Sequence, residues 1–357
     1  MTDATPRAAG FRMPAEWTPH AGCWLAWPAA ADLWGEYLAG AERAFVALCA
    51  AIADPDPATG EARGELPHVL VGDGTAEAAA ALALARVPAQ FHRLPYGDIW
   101  LRDTAPIFVT DAAGARATVR FGFNGWGGKY ILAHDDQVAR RIAALCDMPA
   151  FAFPWILEGG SVEVDGEGTC LTTRQCLLNP NRNPGMSQGA IEAGLRNALG
   201  VERILWLDEG LRNDHTDGHV DTIARFVAPG VVVCMAPQGA GDPNAAVLER
   251  IARDLAAFTD ARGRRLEVVR IPSPGDVRDE DDQVIAASYV NFYIGNRSVA
   301  VPVYGRSSDA RALDRIAACF PGRRTVAIEA TALVAGGGGA LHCITQQMPA
   351  AEIGEMR

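Results

Sequence analysis

Residues 75–103 read TAEAAAALALARVPAQFHRLPYGDIWLRD, and the order of textures along that stretch decides the fold. An Ala/Leu-rich run over 75–87 suits a helix, QFHRLP suits a short strand, and YGDIWLRD is a loop carrying acids and a glycine. The same succession recurs. A helix over 135–146 leads to AFAFPW and the loop ILEGG, and one over 187–199 leads to RILWL and DEGLRNDHTDGH. A helix over 244–262 precedes LEVVRIP and SPGDVRDEDD, and one over 308–320 precedes RTVAIEA and then Gly336 to Gly339 and Cys343. The five strands begin near 90, 151, 203, 266 and 324, a step of about 58 residues and longer than a solenoid repeat. Further strands fit between them (HVLVGD, ATVRFGFN, TCLTTRQCLL, GVVVCMA, SVAVPVYG), so each unit is two or three strands plus one helix. Five such units suit closure into a ring, which removes exposed sheet edges and points equivalent loops at one central cavity. The competing architecture is a doubly wound α/β sheet. It is disfavoured because no Gly-rich dinucleotide fingerprint follows an early strand.

Composition narrows the function. The 357 residues are 49% hydrophobic and 21% charged, enough for a sizeable core. They are expected to form a single catalytic domain over 1–357, with a flexible segment over about 1–12. A net charge of −11 argues against nucleic acid and suits a small cationic substrate, because an acidic cleft concentrates cations. The first residues lack the apolar core of a signal peptide, and no stretch reaches about 18 apolar residues, so no membrane span is expected. The eight cysteines show no CxxC pairing, which points to reduced thiols, the cytoplasm and no zinc site built on cysteines.

The chemistry concentrates in the loops. Cys343 follows the glycine run, a setting for a presented thiol more than a packed one. A Gly-rich turn before an ordinary strand cysteine is the plainer alternative, with Cys343-Ile344-Thr345 as the β-prone piece. Asp98 and Asp103 flank Trp100 and Arg102; Arg102 can pair with one acid and leave the other, with the indole, for a flat cation. Glu158 leaves an apolar strand just before two glycines, where a carboxylate needs a partner. Asp214-His215-Thr216-Asp217-Gly218-His219-Val220-Asp221 is the densest ionisable cluster. Its two histidines could ligate a metal, but Gly218 and the turn residues argue against a helix carrying both rings. Period-2 alternation would instead put His219 and Asp221 on one face.

A cysteine, a histidine and several acids suit nucleophilic attack on a cationic carbon. A free thiol is mostly protonated near neutrality, and a cation held beside it favours the thiolate. A planar guanidinium is such a cation, and two carboxylates can grip its edges. Cys343 would attack the guanidinium carbon, and His219 would protonate the departing ammonia and then activate water. Glu158 would balance His219, while Asp103 and Asp221 bind the guanidinium nitrogens.

Seven strings carry a resemblance along nearly the whole chain. They are MPAEWTPHAGCWLAWP (13–28), DIWLRDTAPIFV (98–109), FGFNGWGGKY (121–130), LEGGSVEVDGEGTCLTTRQCLLNPNRNP (157–184), TDGHVD (216–221), ASYVNFYIGN (287–296) and HCITQQ (342–347). In these the chain resembles the agmatine deiminases of the guanidine-modifying pentein superfamily. The resemblance implies a five-bladed, pseudo-symmetric α/β propeller of ββαβ-type units around a central active-site cavity. It also implies hydrolysis of agmatine to N-carbamoylputrescine and ammonia without metal or organic cofactor, and a homo-oligomer of two or more copies. By motif it makes Cys343 the nucleophile, His219 the acid/base, Glu158 its partner, Asp103 and Asp221 the guanidinium-binding acids, and Trp100 part of the substrate wall. Two positions depart from the family pattern. Ala340 stands where many relatives carry Asn, and His215 stands where acidic or aliphatic residues are frequent; both bear on the cavity entrance. Deimination of free or peptidyl arginine, amidino transfer to an amine and a non-catalytic binding propeller are the competing functions.

Overall fold

The five strands that mark the repeat each form the last strand of a small sheet. In the computed structural model, which describes residues 5–351, they run Gln90–Arg93, Ala150–Ile156, Arg203–Leu207, Glu267–Pro272 and Arg324–Glu329. Each pairs in parallel with the strand before it in the chain: Leu66–Val71, Arg116–Gly122, Thr169–Thr173, Val231–Ala236 and Ser298–Val303. A parallel pair cannot be joined by a hairpin and needs a crossover. The helices Gly74–Ala83, Asp135–Leu145, Gln188–Leu199, Ala245–Ala257 and Asp309–Cys319 supply it. The chain is therefore mixed α/β, with five small sheets.

In four sheets the middle strand is also antiparallel to a preceding short strand: Ile107–Thr110, Glu163–Val164, Ala224–Ala228 and Tyr293–Ile294. The remaining sheet has four strands and joins both ends of the chain. There His20–Ala26 pairs in parallel with Leu66–Val71 and antiparallel with Gln346–Pro349. Within the N-terminal segment, bonds to the rest of the chain begin at Arg7. Arg7 N donates to the Asn197 carbonyl, Arg12 bridges Thr110, and Met13 N donates to the Leu199 carbonyl; residues 1–4 lie outside the described residues.

Local chemistry explains the element ends. Asp73 accepts from Thr75 N and Ala76 N to start one crossover helix, and Ser187 accepts from Ala190 N to start another, as capping side chains do. Helix Ala245–Ala257 buries Val247, Leu248, Ile251, Ala252 and Leu255, one apolar face at helical spacing. It stops five residues short of the expected 262. Asp260 accepts from the backbone N–H of Arg262 and Arg264 there, and Thr259 bridges Arg265, which makes a turn instead. The strand expected to continue through 169–178 likewise ends at Thr173, whose hydroxyl accepts from Cys176 N and caps a short helix, Arg174–Leu177.

Two histidines on the four-stranded sheet give it a pH response. His68 and His92 share a 3.0 Å ring–ring hydrogen bond, and His68 stacks on Trp24 at 4.7 Å. Burial, helped by His92, lowers the His68 pKa from 6.5 to about 4. Between those values the unfolded chain binds more protons than the folded one, so stability rises with pH across that window. Its contribution is complete above about pH 6.5 and is lost as the pH falls toward 4. Urea midpoints measured from pH 7 to pH 4 should fall less steeply in His68→Gln than in the parent.

Candidate active site

Loops that follow the ends of several sheets converge on one cavity of about 200 Å³. Asp103, Trp100 and Cys343 line it, and Asp221, Glu158 and His219 stand behind, 0–1% exposed. Of the residues singled out in the sequence, Asp98, Trp100, Asp103, His215 and Cys343 line the cavity, and Glu158, His219 and Asp221 lie next to it. The convergence is sharpest at Gly160. A Cβ there would lie 2.6 Å from His219 Nδ1, 3.0 Å from Asp103 Oδ1 and 3.1 Å from Asp221 Oδ2. The two glycines after Glu158 are thus required by close approach, since a Cβ on Gly159 would meet the Arg102 carbonyl at 2.2 Å. His219 and Asp221 are not brought together by strand alternation. His219 opens a 3-10 turn, Val220–Thr222, that turns both side chains toward Gly160.

The acids are held with unequal freedom. Asp103 accepts from Gly160 N at 2.9 Å and Trp126 Nε1 at 2.8 Å, and its Oδ1 lies 3.7 Å from His219 Nδ1. Asp221 Oδ2 accepts from His342 Nδ1 at 2.7 Å and lies 3.6 Å from Cys343 Sγ, while its Oδ1 is buried with no hydrogen-bond partner among the described residues. Burial alone would raise the Asp221 pKa, but His342, His219 and Arg225 together outweigh it and the carboxyl is held below its ordinary value. Glu158 Oε1 accepts from Arg182 Nε at 2.7 Å and its Oε2 has no partner among the described residues. Glu158 therefore acts on His219 by charge and not by a hydrogen bond.

The thiol and the imidazole have opposed tendencies. Burial, then the Asp221 and Asp103 charges, push the Cys343 pKa well above its ordinary value. Burial works against charge on His219, but Asp103, Cys176 and Glu158 together outweigh it, and the His219 pKa is raised well above 6.5. Without a ligand the site is a neutral thiol beside an imidazolium and ionised acids, arranged to receive a cation.

Residues 12–349 match the Porphyromonas-type peptidyl-arginine deiminase family. The chain belongs to that family. It is 40% identical to the agmatine deiminase of Pseudomonas aeruginosa (strain LESB58), covering 97% of this chain and 98% of that protein. Identity to the agmatine deiminase of Stutzerimonas stutzeri (strain A1501) is also 40%, over 97% and 98%. A solved agmatine deiminase of Enterococcus faecalis superposes with a TM-score of 0.90 at 33% identity, over 99% of each chain.

In this deiminase-family chain several sequence expectations need correcting. Arg102 pairs with neither acid of its own loop. Its Nη1 donates to Glu16 at 3.1 Å, because Asp98 accepts from the indoles of Trp34 and Trp100 at 3.0 and 2.8 Å while Asp103 faces the cavity. His215, for its part, is exposed and stacks on Tyr130 at 5.8 Å. Cys343-Ile344-Thr345 is not a strand: residues 341–344 form turns and Gln346 starts the strand.

The glycine run is partly helical. Gly336 and Gly337 finish helix Thr331–Gly337, and of the four only Gly338 has positive φ, 87°, as its left-handed C-cap. The others are glycine because indoles lie against them. A Cβ on Gly337 would lie 2.2 Å from Trp100 Cζ2, and one on Gly339 would lie 2.7 Å from Trp100 Cζ3 and 2.9 Å from Cys343 Cβ. Gly337→Ala must displace Trp100, and a misplacement near 1 Å at a reacting centre costs about 10²-fold. Steady-state kinetics should show kcat/KM lower by at least about that factor.

Three functional neighbours carry no local signal in the sequence. Asn291 Nδ2 lies 3.2 Å from Cys343 Sγ, and its Oδ1 accepts from His342 N at 3.1 Å. His342 bridges Asp221 and Glu16, with its Nε2 2.8 Å from Glu16 Oε1. Burial would raise the Glu16 pKa, but Arg225, His342 and Arg102 hold it well below the usual range. The adjacency of His342 to Cys343 and the string around Asn291 were the only available pointers.

Proposed function

We propose that this chain is an agmatine deiminase, hydrolysing agmatine to N-carbamoylputrescine and ammonia through an amidino-cysteine intermediate on Cys343. The observation that carries this reading is the lining of the cavity. Two indoles, two acids (Asp98 and Asp103) and the thiol face the space, and no Arg or Lys among the described residues lines it. The nearby Lys129 is already engaged by Asp217 at 2.6 Å and the His215 carbonyl at 2.8 Å. A guanidinium fits between Asp103 and the unpartnered Asp221 Oδ1. A primary ammonium tail can lie along the aromatic wall. The α-carboxylate of free arginine would be left without a cationic partner, a cost that opposes binding.

In the reaction, the guanidinium cation offsets the acid charges that keep Cys343 protonated, the thiol releases its proton to water, and the thiolate adds to the guanidinium carbon. His219 gives its proton to the departing nitrogen and ammonia leaves. The neutral ring then takes a proton from water, hydroxide adds to the amidino carbon, and collapse expels the thiolate and the ureido product. Nucleophile, proton carrier and charge stabilisation are all side chains, so the reaction needs no metal or organic cofactor. The five sheets support a five-bladed propeller around this cavity, closed by the pairing of His20–Ala26 with Gln346–Pro349. Eight free cysteines suit the cytoplasm, and among the described residues no helix is long and apolar enough to cross a membrane. A homo-oligomer without nucleic-acid partners completes the proposal and is checked by light scattering.

Ammonia release from agmatine, free arginine and a peptide with C-terminal arginine tests the substrate. Agmatine should exceed both in kcat/KM by at least about 10²-fold, the scale set by leaving a charged group unpaired. Equal or faster release from arginine would overturn the assignment, and an amidinated amine product would favour amidino transfer.

A further inference from the structure

We propose that Glu158, Cys176 and His219 form a binding site for a soft divalent cation of the zinc type, and that occupying it inhibits the enzyme. Cys176 has no part in the reaction above, yet its position is specific. It lies on the short helix Arg174–Leu177, fully buried, and one donor atom each from Glu158, Cys176 and His219 lie within 4.8 Å of one another. Packing accounts for a buried thiol. It does not account for the second observation: among the described residues, Glu158 Oε2 and both His219 ring nitrogens are buried with no partner at hydrogen-bond geometry, although Cys176 lies close enough to influence the charge on His219. Buried polar atoms are ordinarily satisfied, and each exception calls for a reason.

The donor set selects the ion. Thiolate and imidazole favour zinc or cobalt over magnesium or calcium, and a carboxylate is an accepted third ligand. In a tetrahedral zinc site the ligand atoms stand about 3.5 Å apart, so these donors need to close by roughly 1 Å. Cavity water can supply the fourth ligand. Glu158 and Asp217 already neutralise the nearby Arg182. Asp103 lines the cavity and its Oδ1 is 3.7 Å from His219 Nδ1, so a carboxylate marks the route inward. On binding, the Cys176 thiol and the His219 imidazolium each release a proton to water, and the thiolate sulfur and the freed ring nitrogen give their lone pairs to the metal. The inhibition rests on the reading of His219 as the proton carrier; the binding does not.

The test is a cobalt(II) titration of the full chain, followed through the near-ultraviolet thiolate-to-cobalt band, in the parent, C343S and C176S. The band should appear in the parent and in C343S, be abolished in C176S, and be displaced by zinc. Persistence in C176S, loss in C343S, or no band in the parent at saturating cobalt would each overturn the site. Should C176S not fold, zinc-edge X-ray absorption on C343S decides the matter: one sulfur in the first shell supports the site and none overturns it. In a parallel ammonia assay, zinc should inhibit the parent. The half-inhibiting concentration should rise at least about 10-fold in C176S, the low end of what weakened metal-site support costs. A full cobalt band with ammonia release unaffected by zinc would overturn the inhibition and count against His219 as proton carrier, whereas failure of the agmatine assignment leaves the spectral result untouched.

Discussion

Cys343→Ala protein is expected to bind agmatine and release ammonia at least about 10⁴-fold more slowly than the parent, the scale on which loss of a nucleophile acts. Cys343 is the only cysteine lining the cavity among the described residues, and nothing else there can form the covalent intermediate. The other parts of the site do not depend on the sulfur. Asp103 is held by Gly160 N and Trp126, and Asp221 by His342, so both carboxylates keep their places when the thiol is removed. Affinity for the cation should therefore persist, which separates loss of chemistry from loss of binding. Isothermal titration with agmatine and a coupled ammonia assay measure the two. Turnover within tenfold of the parent would falsify the covalent route. Weak binding with unchanged acids would show that the thiol shapes the pocket more than this geometry implies. The raised pKa of the Cys343 thiol adds a check in the parent. Alkylation by iodoacetamide should be slow near neutrality and accelerate as the pH rises, because only the thiolate reacts.

Where the fold was legible, periodicity over ten or more residues made it so. The five crossover helices and the strands after them follow from helical and strand patterning, and the observed strand starts at 90, 150, 203, 267 and 324 fall within a residue of expectation. Strands such as Glu163–Val164 and Tyr293–Ile294 are too short to carry any period. The pairing of Gln346–Pro349 with His20–Ala26 joins segments more than 300 residues apart and has no local signature. The site shows the same division. Cys343, His219, Glu158, Asp103 and Asp221 were legible because ionisable residues in loops need a reason to be there. Arg102 was assigned the wrong partner because Glu16, 86 residues away, reaches it only in the folded chain. His342 and Asn291 were passed over because their work, holding Asp221 and Cys343, exists only as tertiary contact. The glycine run was given the right neighbourhood for a partly mistaken reason: packing against Trp34 and Trp100, more than backbone freedom, is what requires three of its four glycines.

His219→Gln should lower kcat by about 10²- to 10⁴-fold, the range for removing a positioned general acid–base group, and should change the pH profile as well as its height. In the parent, His219 is buried, and the adjacent Asp103 charge, with Cys176 and Glu158, outweighs burial to raise its pKa well above 6.5. The protonated form that delivers a proton to ammonia is therefore the resting form near neutrality. As the pH rises through that raised value the ring loses its proton, and the step that expels ammonia slows. The parent should thus show an alkaline limb in kcat that the glutamine variant lacks, since an amide does not titrate. The two half-reactions give a second readout. Ammonia departs with help from a proton donor, whereas hydrolysis of the amidino-cysteine needs the same ring, now neutral, to take a proton from water. Glutamine does neither, but solvent can partly replace a donor more readily than it can generate hydroxide beside a buried carbon. Rapid acid quench followed by mass spectrometry should therefore find Cys343 of the variant carrying agmatine less ammonia in larger steady-state amount than the parent. A variant that keeps the alkaline limb would assign it to another group. Asp103→Asn then distinguishes the remaining possibilities, because removing the charge that holds the His219 proton should move a limb due to His219 to lower pH and leave any other limb in place.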